Sequence, residues 1–119
     1  MQSITWFTPI LPGKLEEWQA MEEEIKGPRR AELVRSYKRA GVAREVASLM
    51  HTPQGDFVVL FHEAEDLAKA FRTIATSQDP FDVWFREHLA SVHGMTAEML
   101  QGPPPAEVFF EYTDASGVA

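Results

Sequence analysis

Four histidines are the side chains of this sequence that can exchange a proton near neutral pH: His51, His62, His88 and His93. The ordinary pKa of an imidazole lies close to physiological pH, so each one is a candidate acid, base or metal ligand. None of them forms the HxH, HxxxH or HExxH spacing that brings two imidazoles to one metal ion. On a helix, His88 and His93 would point about 140° apart. We therefore expect no metal site.

His88 is the leading catalytic candidate. It recurs with Phe81, Trp84, Phe85 and Leu89 at the spacing of one helix face, so its imidazole is expected to point inward. A buried imidazole can act as a general acid–base or as a ligand-binding group. A purely structural role is the alternative, with the ring hydrogen-bonded to a backbone carbonyl or a carboxylate in the core.

A ligand pocket is predicted around His88. Its other members are aromatic residues and one arginine: Tyr37, Trp84, Phe85, Arg86 and Tyr112. Trp84 also fits a second role, as an anchor of the core or of an interface. Tyr37, Arg86 and Tyr112 are placed in the pocket on side-chain type alone.

Structural roles are expected for two of the remaining histidines. His93 precedes Gly94 at a predicted helix end, where a cation is stabilised by the helix dipole. His62 lies between Phe61 and Glu63, where a predicted strand is expected to reach solvent.

Composition excludes several classes of function. The chain has 119 residues and no cysteine, which rules out thiol nucleophiles, disulfides and iron–sulfur clusters. No glycine-rich phosphate loop or nucleophile elbow is present, and we expect no cofactor. A net charge of −7 argues against nucleic acid as a partner, because that binding relies on Lys and Arg. Without signal-peptide features or an apolar run of about 20 residues, we expect a soluble, cytoplasmic protein with no membrane partner.

The elements that must position these residues follow from apolar periodicity and turn residues. Strands are predicted at residues 4–9, 43–51, 57–63 and 108–112. Helices are predicted on either side of a break at Gly27-Pro28, after Asp66, and from an Asp79 cap with Pro80 in the first turn. The order β-α-β-β-α-β predicts a ferredoxin-like α+β fold, with a four-stranded antiparallel sheet and helices on one face. We expect one domain over residues 1–113 and a flexible tail over 114–119.

The predicted strand at residues 57–63 indicates an oligomer. Its run of Phe57, Val58, Val59, Leu60 and Phe61 is apolar on both faces. The helices cover one face, so the other requires a second cover, and a second copy of the chain is the simplest one. We therefore expect a homodimer formed through the sheet face.

The segment Asp79-Pro80-Phe81-Asp82-Val83-Trp84-Phe85-Arg86, ending at His93-Gly94, resembles a known signature. It is similar to that of a group of small bacterial proteins of unknown function in the dimeric α/β-barrel superfamily. The resemblance spans roughly residues 3–94 and implies a dimeric α/β barrel. Members of that superfamily include cofactor-independent monooxygenases, heme-degrading enzymes, mutarotases and stress-response proteins. The heme-degrading members use an Asn that this sequence cannot supply, because it contains none.

Two functional classes remain open at this point. One is a cofactor-independent protein that binds or converts a small organic molecule, monooxygenase-like or isomerase-like, in a pocket between sheet and helices. The other is a non-catalytic binding or stress-related dimer. A cavity with His88 and a second polar side chain on its wall would favour the first class, and a filled, dry interior the second.

Overall fold

The computed structural model describes residues 1–114, which form an α+β arrangement. The elements in chain order are β1 (Gln2–Pro9), α1 (Leu15–Lys26), α2 (Arg30–Ala40), β2 (Val42–Thr52), β3 (Gly55–Ala64), α3 (Leu67–Thr76), α4 (Pro80–His93) and α5 (Ala97–Gln101). The predicted tail lies almost entirely at residues 115–119, outside the described residues.

The sheet of the described residues has three antiparallel strands in the order β1-β3-β2. Trp6 of β1 pairs with Leu60 of β3, and Glu45 of β2 pairs with His62 of β3. The strands predicted at 43–51 and 57–63 are confirmed as β2 and β3, which form a hairpin. Its loop is shorter than the five residues between the predicted strands, because Thr52 pairs directly with Gly55.

The predicted four-stranded ferredoxin-like fold is wrong. The predicted dimeric α/β barrel is wrong for the same reason, because it was built from that four-stranded sheet. Within residues 1–114, the segment 108–112 forms no strand. Three prolines at 103–105 prevent α5 from continuing, and the segment that follows them pairs with none of the three strands. The segment does pass near β1, where Ser3 Oγ donates to Glu111 Oε2 at 3.1 Å. Its apolar side chains stay in solvent, with Phe109 97% and Phe110 83% exposed.

Local sequence rules explain where the helices begin and end. Asp79 caps α4 by accepting a hydrogen bond from the Phe81 N–H at 3.0 Å, and Pro80 occupies the first turn, as predicted. Gly41 ends α2 in the left-handed conformation, with φ of 85°. The predicted break at Gly27-Pro28 separates α1 from α2.

One face of the sheet carries the core. The buried residues alternate along the strands, with Ile4 and Thr8 in β1 and Val58, His62 and Ala64 in β3. Helical side chains such as Met21, Phe71, Phe81 and Val92 complete this core. The opposite face is open, and its exposed residues include Phe7, Val46 and Met50.

A buried polar cluster joins α2 to α4 beneath this core. Ser36 Oγ donates to Asp82, and Arg39 Nη2 donates to the other Asp82 carboxylate oxygen at 3.0 Å. Burial by itself raises the pKa of Asp82, but the hydrogen bonds from Ser36, Ser77 and Arg39 outweigh it and lower the pKa. The cluster therefore depends on an ionised Asp82.

Among the helices of residues 1–114, none combines the length and the apolar character needed to cross a lipid bilayer.

Candidate functional site

A cavity of about 70 Å³ lies between the helix-covered face of the sheet and the helices. Most of its wall is apolar, with Trp18, Met21, Val58, Leu60, Phe71 and Phe85 among the contributing residues. The polar residues of the wall are few: Thr8, Glu22, Tyr37, Glu45, His62 and His93. A mostly apolar cavity with a small number of polar groups is the usual form of a small-molecule site.

A chain of hydrogen bonds crosses one end of the cavity. Trp6 Nε1 donates to His62 Nδ1 at 3.0 Å, and His62 Nε2 lies 2.6 Å from Glu45 Oε2. The Tyr37 hydroxyl donates to Glu45 Oε1 at 2.9 Å. The sheet register builds most of this chain, because Glu45 and His62 are direct cross-strand partners on the helix-covered face. Tyr37 approaches from α2.

The indole of Trp6 fixes the tautomer of His62. An indole nitrogen can only donate, so Nδ1 of His62 must offer its lone pair. The imidazole proton therefore resides on Nε2, which donates to Glu45. Glu45 thus accepts hydrogen bonds from two directions and is held as a carboxylate at the cavity wall.

Glu22 supplies a second carboxyl group to the same cavity. Burial, and second the negative charge of Glu45, raise its pKa to about 7 against a smaller opposing effect of Lys26. Burial also raises the pKa of the Tyr37 hydroxyl well above its usual value, with Glu45 as the second cause. With its pKa near 7, Glu22 carries a proton in about half of the molecules at neutral pH, and it shares one apolar cavity with Glu45.

His93 lies at another part of the wall. Its Nδ1 is 2.7 Å from the carbonyl oxygen of Pro9, so Nδ1 carries the proton and donates it. Burial lowers the pKa of His93, although the Pro9 hydrogen bond opposes this effect. The imidazole is therefore neutral near pH 7, and the predicted role as a helix-end cation is wrong.

Two of the residues predicted to form the pocket line this cavity, Tyr37 and Phe85. The other four lie elsewhere: Trp84, Arg86, His88 and Tyr112. Tyr112 is exposed. Arg86 donates to the carbonyl oxygens of Ile74 and Ser77 and thereby satisfies the end of α3.

His88 is half-buried beside Trp84 rather than in the cavity. Its Nδ1 lies 3.0 Å from the Trp84 carbonyl oxygen, and the two rings are 4.5 Å apart. Arg29 covers the Trp84 ring at 4.3 Å from its centre. The catalytic role of His88 stays a prediction. Among residues 1–114, the hydrogen bond of its ring is to a backbone carbonyl oxygen and not to a polar side chain of the cavity wall.

His62, Glu45 and Glu22 are the cavity residues that sequence reasoning missed. The expectation that His62 reaches solvent is wrong, since only 5% of the residue is exposed. Strand alternation carries the signal that was available: His62 follows Val58 and Leu60 at a spacing of two, so it shares their buried face.

A metal centre has no support in the described part of the chain. Residues 1–114 bring together no group of three or more His, Asp or Glu side chains that could hold a metal ion.

No family model, curated protein or solved structure matches this chain. The resemblance drawn from the segment 79–94 therefore stays a prediction.

Proposed function

We propose that this protein binds a small, largely apolar carbonyl compound in the cavity and transfers a proton on it, in an isomerase-like reaction without a cofactor. The observation that supports this proposal is the Glu45 carboxylate, held at an apolar cavity wall by Tyr37 and His62. A carboxylate fixed in this way, with a proton-carrying Glu22 in the same cavity, is an acid–base pair.

The reaction divides the two roles between the two carboxyl groups. Glu45 takes a proton from a carbon next to the carbonyl, and the C–H electron pair forms a carbon–carbon double bond. The carbonyl π electrons move to oxygen, which receives the proton of Glu22. The resulting enol is neutral, and return of a proton from Glu45 to carbon, with loss of the hydroxyl proton to Glu22, completes the cycle. His62 and Trp6 act as positioning residues, because they orient Glu45 without facing the reacting carbon.

Cavity volume limits the ligand. About 70 Å³ accommodates a few non-hydrogen atoms at rest, and the flexible side chains of Met21 and Met95 can yield to a somewhat larger molecule. A small ketone is therefore a suitable probe.

Deuterium exchange tests the proton transfer directly. In D₂O, the wild-type protein should accelerate exchange of the protons next to the carbonyl of 2-pentanone, followed by ¹H NMR. Glu45→Gln should slow this exchange by about 10²–10⁴-fold, the usual contribution of a general base. Glu63→Gln is the matched control, because Glu63 lies on the opposite face of the same sheet, across from Arg44. Equal exchange by wild type and Glu45→Gln would refute the proposal.

The open face of the sheet favours a second candidate function, that of a dimeric binding protein. Phe7 is 64% exposed there, and Phe57, Val59 and Phe61 are only half-buried beside it. The extended segment 108–112 adds further exposed apolar side chains. We propose that a second copy of the chain covers this face, since apolar patches of this kind mark interfaces.

Sedimentation at micromolar concentration tests the homodimer. Wild type should sediment as a dimer, and Phe7→Lys should shift it to monomer, because the lysine charge would be buried in the interface. Ala90→Lys, at an exposed site of α4, should leave the dimer intact. A monomeric wild type would refute the proposed interface.

The cytoplasmic location is likewise a proposal, tested by fractionation of cells that express the chain.

A further inference from the structure

Two polar side chains of the cavity wall each have one atom without a hydrogen-bond partner within residues 1–114. Thr8 and His93 are enclosed, with 6% and 8% of each residue exposed, and both line the cavity. The described residues place no hydrogen-bonding group at the Thr8 hydroxyl, and the contact of His93 uses Nδ1 alone.

The unpaired atoms of these two residues are Thr8 Oγ1 and His93 Nε2. Among the described residues, every fully buried side-chain nitrogen or oxygen has a hydrogen-bond partner. Thr8 Oγ1 and His93 Nε2 have none, so they are not sealed in the protein interior. Both residues line the cavity, so its interior is the enclosed space in which a ligand can reach these atoms.

The two atoms offer complementary hydrogen-bonding roles. Nδ1 of His93 donates to the Pro9 carbonyl oxygen, so Nε2 carries a lone pair and accepts. The Thr8 hydroxyl can donate or accept. A ligand hydroxyl has the matching roles, because it can donate to Nε2 and accept from Thr8.

Other polar ligand groups fit less well. A carboxylate or phosphate would face the lone pair of His93 Nε2 and the negative charge of Glu45 in the same cavity. An ammonium group would have to leave water for a mostly apolar wall, and Glu45, the carboxylate that could pair with it, already accepts from Tyr37 and His62. A neutral hydroxyl avoids both costs.

We infer that Thr8 and His93 form a subsite for a ligand hydroxyl, which makes the substrate a small hydroxylated carbonyl compound. This inference rests on the proposed function, because the carbonyl of the ligand is assigned to Glu45 and Glu22. The subsite uses other elements than that pair: Thr8 lies on β1 and His93 on α4, whereas Glu45 lies on β2 and Glu22 on α1, and all four residues line the same cavity.

Matched ketones test the subsite. 4-Hydroxy-2-butanone and 2-pentanone have the same number of non-hydrogen atoms and differ by a hydroxyl in place of a methyl group. The pair 6-hydroxy-2-hexanone and 2-heptanone extends the spacing. Wild type should bind the better-fitting hydroxyketone more tightly than its methyl analogue, and the ¹⁵N resonance of His93 Nε2 should move only with the hydroxyketone.

Thr8→Val removes the hydroxyl while keeping the branched shape. It should weaken hydroxyketone binding about 3- to 10-fold, the range for one hydrogen bond, and leave binding of the methyl analogue unchanged. Thr5→Val is the control, because Thr5 lies on the open face of the same strand. Thermal unfolding of both variants should match wild type.

The outcomes separate the subsite from the proton transfer. Equal binding of both ketones by wild type overturns the subsite, and so does the absence of binding by either ketone. In the first case, the proton-transfer proposal would still be supported if the protein catalyses exchange of 2-pentanone. A preference for the hydroxyketone that Thr8→Val abolishes supports the subsite. If that preference appears with no catalysed exchange, the subsite is supported and the proton transfer is overturned.

Discussion

Replacing Glu22 by Gln should remove a pH-dependent part of the free energy of unfolding. The pKa of Glu22 is raised from 4.5 to about 7 in the folded protein, with burial as the largest cause and the charge of Glu45 second. The folded state therefore holds this proton more tightly than the unfolded state does. The stability that the proton contributes is complete below pH 4.5 and is lost as the pH rises through about 7.

The size of this contribution follows from the same two pKa values. A difference of one in pKa corresponds to 1.36 kcal/mol, so the interval from 4.5 to about 7 sets an upper value of about 3 kcal/mol. Glu22 is half-buried, and solvent screening reduces the expected value to about 2 kcal/mol. Above pH 8, Glu22→Gln should therefore be more stable than wild type by about 2 kcal/mol, and near pH 4.5 this advantage should vanish.

Urea unfolding from pH 4.5 to 8.5 measures the effect as a difference between variant and wild type. The difference is needed because His93, whose pKa burial lowers, has the opposite sign: its contribution is lost as the pH falls. Glu16→Gln is the control, since Glu16 is exposed on the same helix. A pH-independent difference for Glu22→Gln would show that the carboxyl group is solvated and would remove it as the acid of the proposed reaction.

Three further outcomes are expected. Asp82→Asn should lower the free energy of unfolding at pH 7 by about 3 kcal/mol in urea titration, because Arg39 and Ser36 would lose a charged partner. In wild type, the stability that ionised Asp82 contributes should be lost as the pH falls below 3.8, because its pKa is lowered in the folded protein. Phe81→Ala should cost about 3–5 kcal/mol by the same measurement, since the Phe81 side chain of α4 is buried in the core; a loss below 1 kcal/mol would contradict the packing. His88→Gln should preserve both the melting temperature and catalysed ketone exchange, because His88 lies outside the cavity; a loss of exchange alone would instead support the predicted catalytic role of His88.

Short-range chemistry made much of this fold predictable. The Asp79-Pro80 helix start and the Gly41 helix end need only neighbouring residues, and the hairpin needs only two apolar runs and a turn. The segment 108–112 shows where such rules stop. Its β-branched and aromatic residues favour a strand, but a strand also needs a hydrogen-bonding neighbour, and composition cannot supply one.

The candidate site was harder to predict because the histidines lie in elements of different periodicity: His88 follows the spacing of a helix, and His62 the alternation of a strand. His88 shares a helical stripe with Trp84 and Phe85, yet a residue at the margin of such a stripe can lie beside the core rather than in it. The site depends instead on the register that sets Glu45 opposite His62 and on the approach of α2 with Tyr37. Those contacts join distant parts of the chain, so local spacing does not encode them.

The hydrogen-bond chain of Trp6, His62, Glu45 and Tyr37 restricts how this protein can change during evolution. Loss of Glu45 alone would leave the Tyr37 hydroxyl and the His62 Nε2–H without an acceptor, and loss of Trp6 would leave Nδ1 without a donor. Each such orphaned buried group costs about 1–3 kcal/mol, whereas joint replacement by apolar residues of similar shape is nearly neutral. Homologous chains should therefore carry these residues together or lack them together. Their co-occurrence, rather than the persistence of any single residue, would identify the sequences that share this site.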